Sequence, residues 1–281
     1  MRGRFAPSPT GYIHLGNVWT AFLAWLQVRQ QKGTLILRIE DIDEQRSKPE
    51  YTQALLEDLA WLGLDWDEGP GKGGPYGPYI QQERYSLYEK ALQELQAKHL
   101  LYPCYCSRAR LQAIGAPHEG EHRLYDGHCY GMPEEQRRQM DRKPSWRVHV
   151  PNVSVSFTDG SYGPFSDYLP RVCGDFVVRR ADGLYAYQLA VAVDDGSMGI
   201  THVLRGRDLL SSTAQQIWLM EVMGYTPPSY THVPMLIDAS GNRLSKRQQG
   251  ITVRSLRDRG VQADAILSAL ALAGGLVSER R

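Results

Sequence analysis

The sequence lacks any apolar run approaching the ~18 residues that a membrane-spanning helix needs. The N-terminus, Met1-Arg2-Gly3-Arg4-Phe5-Ala6-Pro7, also lacks the apolar stretch of a secretory signal. A cytoplasmic protein that contacts no membrane is therefore expected. An excess of charge of one sign is missing too. Lys+Arg 32 against Asp+Glu 31 gives a net +1, which excludes a uniformly basic nucleic-acid coat and leaves any such contact to local patches. Cysteine is scarce, at four. In a reducing compartment that number points to metal ligation rather than a disulfide framework. Phenylalanine is scarce as well, at five against sixteen tyrosines, and polar-tipped aromatics suit a site that meets a polar ligand. What is present is 281 residues, 42% of them hydrophobic. That is enough to bury a core unaided, as one large domain or two small ones.

The first part of the chain reads as a βαβ unit. A short strand over Arg2–Ala6 leads into the turn-rich run Pro7-Ser8-Pro9-Thr10-Gly11. From Val18 to Gln31 the apolar residues Val18, Ala21, Phe22, Trp25, Leu26 and Val28 recur at helical spacing, and Lys32-Gly33 supplies a basic last turn and a C-cap glycine. Thr34–Glu40 is β-rich and mostly apolar, as a strand covered on both faces is. Two parallel strands joined by a helix open a nucleotide-binding α/β fold. Helices are expected over Pro49–Gly63, Gln81–His99, Arg207–Met223 and Ala263–Ala273, and strands over Trp146–Val150, Val153–Phe157, Phe176–Arg179, Tyr187–Val193, Ile200–Leu204 and Thr231–Ile237. Gly69–Pro78 is a glycine- and proline-rich loop. Leu101 to Trp146 has little periodicity and holds three of the four cysteines. The expected organisation is a first half of the core over 1–100, an insertion over 101–146, a second half over 147–237 and a C-terminal segment over 238–281.

Two loops carry phosphate chemistry. Pro9-Thr10-Gly11-Tyr12-Ile13-His14-Leu15-Gly16-Asn17 joins a strand to a helix, and a helix N-terminus offers unpaired N–H groups and partial positive charge to a phosphate. Gly11 and Gly16 let the backbone approach, and His14 adds a hydrogen-bond donor. Near the other end of the chain, Arg243-Leu244-Ser245-Lys246-Arg247 follows a strand and the turn Asp238-Ala239-Ser240-Gly241-Asn242. Lys246 there can swing a positive charge onto a triphosphate. Each loop alone has an ordinary structural reading, a glycine turn or a solvated basic face. Asp194-Asp195 invites a metal or acid–base reading, but a turn between strands explains the pair equally well.

Together the two loops resemble the HIGH-type and KMSKS-type signatures of class I aminoacyl-tRNA synthetases. Adding Arg4-Phe5-Ala6-Pro7-Ser8-Pro9-Thr10-Gly11 and Arg38-Ile39-Glu40-Asp41-Ile42-Asp43 with Arg46 narrows the resemblance to the glutamyl-tRNA synthetase family. The chain departs from the pattern at Asn17, where the HIGH motif ends in histidine, and at Arg243, Leu244 and Arg247. The family continues past the lysine loop into anticodon-gripping helical domains, whereas this sequence stops at Arg281. It therefore resembles the short paralogous family, the glutamyl-queuosine tRNA(Asp) synthetases. That resemblance implies a Rossmann-like class I catalytic core with a zinc-stapled insertion. It implies a monomeric ligase that activates glutamate with ATP and Mg2+ without tRNA, then transfers it to queuosine in the anticodon loop of tRNA(Asp). The rival readings are a minimal glutamyl-tRNA synthetase charging the tRNA 3′ end, a non-catalytic RNA-binding paralogue and a small nucleotidyltransferase.

The resemblance also implies a site. Glutamate carries two carboxylates and one ammonium, so its pocket needs cations and an anion, and arginine forks suit carboxylates. The implied pocket is Arg4, Phe5, Ala6, Pro7 and Ser8 with Glu40, Tyr187 and Arg205. Glu40 meets the ammonium, the two arginines meet carboxylates and Tyr187 donates its hydroxyl. ATP is implied at His14, Gly16, Asn17 and Lys246, with His14 and Lys246 serving the transition state. Read as residues alone, Cys104, Cys106 and Cys129 offer three zinc ligands, and the fourth is open between His118, His122, His128 and Tyr125. The resemblance implies Tyr125. The basic run from Arg243 to Arg259 is a candidate track for the tRNA backbone.

Overall fold

The computed structural model describes residues 1–113, 124–237 and 251–278. The chain divides into two compact units. The first comprises Met1–Glu83, Ile200–Asp208 and Tyr230–Arg281, and the second Arg84–Gly199 and Leu209–Ser229. In chain order, the first unit opens with β1 (Arg2–Phe5), α1 (Leu15–Gln30), β2 (Thr34–Leu37) and α2 (Pro49–Trp61). The second unit follows with α3 (Tyr85–Ala97), β3 (Leu101–Cys104), α4 (Arg108–Ala113), α5 (Glu134–Arg138), β4 (Ser145–Val148), β5 (Ser154–Asp159), β6 (Gly163–Tyr168), α6 (Leu169–Val172), β7 (Phe176–Arg179) and α7 (Tyr187–Ser197). The chain returns to the first unit for β8 (His202–Gly206), to the second for α8 (Thr213–Val222), and ends in the first with β9 (Ser229–Val233), α9 (Val253–Asp258) and α10 (Ala263–Ala273). Among the described residues, no helix is long and apolar enough to cross a membrane.

The first unit is the expected α/β body. Its strands run β2-β1-β8-β9. β1 pairs parallel with β2 from Arg2↔Thr34 to Phe5↔Leu37, and parallel with β8 at Gly3↔His202. Parallel pairing requires a crossover, and α1 supplies it. Phe5, Val18, Phe22, Leu37, Leu59 and Leu204 meet in its core. Gly3 has a packing reason, since a Cβ there would lie 2.4 Å from a methyl carbon of Val28 on α1. The close of α1 differs from expectation. The left-handed residue is Lys32 (φ 49°), not Gly33. Gly33 is needed because a Cβ would come within 2.6 Å of the Met1 carbonyl oxygen.

The second unit holds an antiparallel sheet in the order β3-β4-β7 and the β5–β6 hairpin. Here the reading of the sequence needs its main correction. Tyr187–Val193 is not a strand but the first part of α7, whose residues Leu189 to Asp195 are all buried. A short apolar run that is covered all round carries no periodicity to separate strand from helix. Asp194-Asp195 accordingly lies in the last turn of that helix, not in a turn between strands. The helices expected over Gln81–His99 and Arg207–Met223 each begin with a turn of 3-10 helix, over Gln81–Arg84 and Arg207–Ser212. The strand expected over Thr231–Ile237 ends at Val233. Strand β3 went unread because Pro103 sits inside it, and proline argues against a strand.

Candidate active site and cysteine cluster

The loop between β1 and α1 ends in a tightly specified cap. His14 is the N-cap of α1, and its Nδ1 accepts a hydrogen bond from the Gly16 N–H at 3.1 Å. The His14 N–H in turn donates to Asn17 Oδ1 at 3.3 Å, completing a capping box. An accepting Nδ1 places the proton of the neutral ring on Nε2, so His14 presents a donor at the positive end of a helix. Asn17, which departs from the family motif, has a structural task in this cap. After the segment 238–250 the chain comes straight back to this point. Val253 N–H donates to Ile13 O at 3.1 Å, and His14 and Thr252 form an antiparallel bridge. On the preceding flank, Trp19 Nε1 donates to Pro234 O at 3.2 Å. Lys246 and its neighbours from Arg243 to Arg247 lie outside the described residues.

The sheet edge carries the residues expected for an amino acid. The β1–β2 alignment continues past both strands, with Arg38 N–H donating to Phe5 O and Glu40 N–H to Pro7 O, both at 3.0 Å. That register sets Glu40 beside the run that ends in Ser8. Glu40 is held by Arg38, whose Nη2 lies 2.8 Å from Glu40 Oε1, and both side chains are buried. Arg4 is buried on β1, and its Nη1 donates to the Leu204 carbonyl at 3.4 Å. The next residue, Arg205, is also buried and donates from Nε to His232 Nε2 at 3.0 Å. The first unit thus brings together two arginines and a fixed carboxylate at the ends of β1, β2 and β8. Ala6 and Pro7 continue from β1, and Ser8 is exposed. Tyr187 belongs to the second unit, where it is the half-buried first residue of α7. Arg38 and His232 were not singled out in the sequence as partners of site residues. Arg38 lay inside a quoted motif, while nothing in the pattern around His232 marks it.

The acidic pair and the described end of the basic run have partners within the fold. Asp194 is fully buried and structural, accepting from Arg84 Nε at 2.6 Å and from the Tyr88 hydroxyl at 3.0 and 3.1 Å. In the basic run, Arg254 pairs with Glu57, and Arg257 lies 5.4 Å from the Trp61 ring centroid. Both tie α9 to α2.

The cysteines form a compact cluster in the second unit. The sulfurs of Cys104, Cys106 and Cys129 all lie within 4.8 Å of one another. The Cys106 and Cys129 sulfurs are 3.6 Å apart. The Tyr125 hydroxyl sits 3.4 Å from the sulfurs of Cys104 and of Cys106, and accepts from the Cys129 N–H at 2.9 Å. The Arg147 guanidinium covers the Tyr125 ring, 3.8 Å from its centroid. Burial opposes ionisation of Cys104, but the Tyr125 hydroxyl, the Cys106 backbone and Arg147 outweigh it and bring the thiol down to about 7. Burial and the neighbouring thiols push the Tyr125 phenol up. Among the described residues no histidine joins the cluster; His118 and His122 lie outside them. Soft thiolate donors at this separation can hold a metal ion, and they suit zinc. Cys173 is apart from the cluster, hydrogen-bonded to the Leu169 carbonyl, and burial pushes its thiol up to about 12.

A parallel sheet with a capped helix N-terminus at its edge is the architecture of a nucleotide-binding α/β domain. The chain belongs to the family described as tRNA synthetases class I (E and Q), catalytic domain, whose model matches residues 1–281; it is a ligase. It is 48% identical to the glutamyl-Q tRNA(Asp) synthetase of Nitratidesulfovibrio vulgaris and 51% identical to that of Symbiobacterium thermophilum. Each match covers 99% of this chain, and 88% and 87% of the relatives. A glutamate–tRNA ligase 2 from Syntrophus aciditrophicus is 42% identical over the whole chain, which spans 58% of that relative. Among solved structures, the glutamate–tRNA synthetase of Elizabethkingia anophelis superposes with a TM-score of 0.84 at 31% identity. That match covers 97% of this chain and 61% of the other.

Proposed function

We propose that this ligase activates glutamate with ATP, without tRNA, and then transfers it to the queuosine base in the anticodon loop of tRNA(Asp). The observation that carries the reading is the charge arrangement at the sheet edge. Arg4 and Arg205 offer two cations for two carboxylates, and Arg38 holds Glu40 as the anion for an ammonium. In the first step the glutamate α-carboxylate oxygen attacks the α-phosphorus of ATP, the bond to the β-bridging oxygen breaks, and pyrophosphate leaves. No covalent enzyme intermediate is needed, so catalysis is positioning plus charge stabilisation. His14 serves the phosphates from the cap of α1, with Gly16 and Asn17 shaping the turn. Lys246 serves them as well, and Thr252 and Val253, which follow it in sequence, pair with His14 and Ile13. Mg2+ carried by ATP neutralises charge on the leaving group. In the second step a queuosine ring hydroxyl attacks the adenylate carbonyl, as a ribose hydroxyl does in ordinary charging, and AMP leaves.

Zinc is proposed as the structural ion of the 101–146 insertion, held by Cys104, Cys106 and Cys129 with Tyr125 as fourth ligand. What supports the queuosine acceptor over the tRNA 3′ end is the pattern of relatives. Those named glutamyl-Q tRNA(Asp) synthetase match at 48% and 51% identity, and the glutamate–tRNA ligase at 42%. The protein is expected to act as a monomer in the cytoplasm. The test compares labelling of tRNA(Asp) from cells able and unable to make queuosine, using radiolabelled glutamate. Label is expected only on the queuosine-bearing tRNA, and it should survive blocking of the 3′ ribose. Equal labelling of both tRNAs, or labelling of tRNA(Glu) at its 3′ end, would return the protein to ordinary glutamyl-tRNA synthesis.

A further inference from the structure

We propose that His232 is a positioning residue for amino-acid activation, fixing the Arg205 guanidinium in the orientation that receives a substrate carboxylate. This rests on the glutamate pocket proposed above. Arg205 and His232 lie on β8 and β9, neighbouring strands of the first unit's sheet. Arg205 is 3% exposed and His232 0%. The bond between them, Nε to Nε2 at 3.0 Å, has only one polarity. A guanidinium has donors and no acceptor, so His232 Nε2 must offer its lone pair, and the proton of the neutral ring is on Nδ1. The face of the guanidinium is set as well, since Arg205 Cζ lies 5.1 Å from the centroid of the Tyr230 ring. The Tyr230 and His232 rings are themselves nearly parallel, 9° apart with centroids at 6.2 Å. One edge and one face of Arg205 are thereby fixed by two side chains of β9.

The imidazole nitrogen accepts from that edge of the guanidinium without itself bringing a negative charge to it. His232 acts on the substrate only through Arg205.

The experiment measures glutamate-dependent pyrophosphate–ATP exchange without tRNA, with separate KM values for glutamate and ATP, in the full chain. His232→Leu removes the acceptor. It is expected to raise the glutamate KM about 10- to 100-fold, the worth of a hydrogen bond to a charged group, while the ATP KM stays within about twofold. His232→Gln places a carbonyl oxygen where Nε2 stood and is expected to restore most of the loss. His232→Asn, whose carbonyl reaches only the Nδ1 position, is expected not to. The Gln and Asn variants keep the test open if the Leu variant does not fold. An unchanged glutamate KM in His232→Leu overturns the proposal. So do equal values for Gln and Asn, or glutamate and ATP affinities falling together with the melting temperature. Absence of glutamate-dependent exchange in the unsubstituted protein overturns the pocket itself, and is seen before any variant is made.

Discussion

The two clusters of reactive side chains in this protein are stabilised on opposite terms. At the sheet edge of the first unit each charged group is held by a dedicated protein partner, Glu40 by Arg38 and Arg205 by His232. The cysteine cluster of the second unit gathers three thiols around one phenol, with a single arginine over the phenol ring. The first arrangement is fixed by the chain's own partners, so the proposed pocket is preorganised for its substrate. The second concentrates soft donors that could hold a metal ion, and a structural zinc, as proposed, couples its stability to that ion. On the reading proposed above, preorganisation by the chain serves chemistry in one unit, and a metal serves folding in the other.

Breaking the cysteine cluster is expected to have the largest effect. Cys106→Ser removes one thiolate, and bound zinc should fall well below the roughly one ion per chain expected of a structural site. Hydrogen exchange over 101–113 and 124–149 should accelerate, since that stretch has few buried apolar residues besides Tyr102, Cys104 and Cys129. Tyr125→Phe should lower zinc retention less than Cys106→Ser does. Elemental analysis of the unsubstituted protein decides the matter, because a near-zero metal content would remove the distinction between the two clusters.

On the preorganised side, His14→Ala removes both the Nε2 donor and the acceptor for the Gly16 N–H. The rate of pyrophosphate exchange is expected to fall about 10²-fold, the usual loss for one transition-state donor. The stability lost with the N-cap should be only ~1 kcal/mol, readable as a small drop in melting temperature. A large thermal shift with little change in rate would make His14 a structural cap only, and would place this loop with the elements that hold the fold.

What the residue pattern revealed follows the same division. The first unit was legible because each of its features has a local cause. Apolar spacing marks α1, Pro49 opens α2, and the strand–loop–helix run through His14 has a physical reason for every residue type. The second unit was less legible where local cause fails. α7 is buried on all sides, so its alanines and valines show no amphipathic period, and Asp194 is explained only by Arg84 and Tyr88, far away in sequence. Strand β3 contains a proline that argues against it. The cysteine spacing announced a cluster, but only the fold brings the Tyr125 hydroxyl against two of its sulfurs. His232 is the instructive miss in the legible unit. Its role lies in a cross-strand contact, and strand periodicity records burial, not partnership.

The first unit also holds an exception that sharpens the comparison. Asp58 on α2 is fully buried, yet among the described residues neither carboxylate oxygen accepts a hydrogen bond, and Arg254 Nε stands 3.6 Å from Oδ1. Burial pushes its carboxyl up from 3.8 to about 6, with Arg254 and Arg257 opposing only in part. The sign follows from the two states. Below about pH 4 the group is protonated whether the chain is folded or unfolded. Between about 4 and 6 the folded chain keeps the proton that the unfolded chain releases, so stability declines as pH rises through that window. Above it the folded protein carries a buried charge that an amide would not. Asp58→Asn is therefore expected to stabilise the protein at pH 7.5 by on the order of 1–2 kcal/mol, a rise of roughly 2–4 °C in melting temperature. Arg254 keeps Glu57 as its partner in the variant. The advantage should shrink as pH falls and vanish near pH 4, which a series of melting curves from pH 4 to 8 reads directly. A gain independent of pH would assign the effect to packing. A loss at pH 7.5 would show that the Arg254 contact repays the burial, making Asp58 a partnered charge like Glu40 after all.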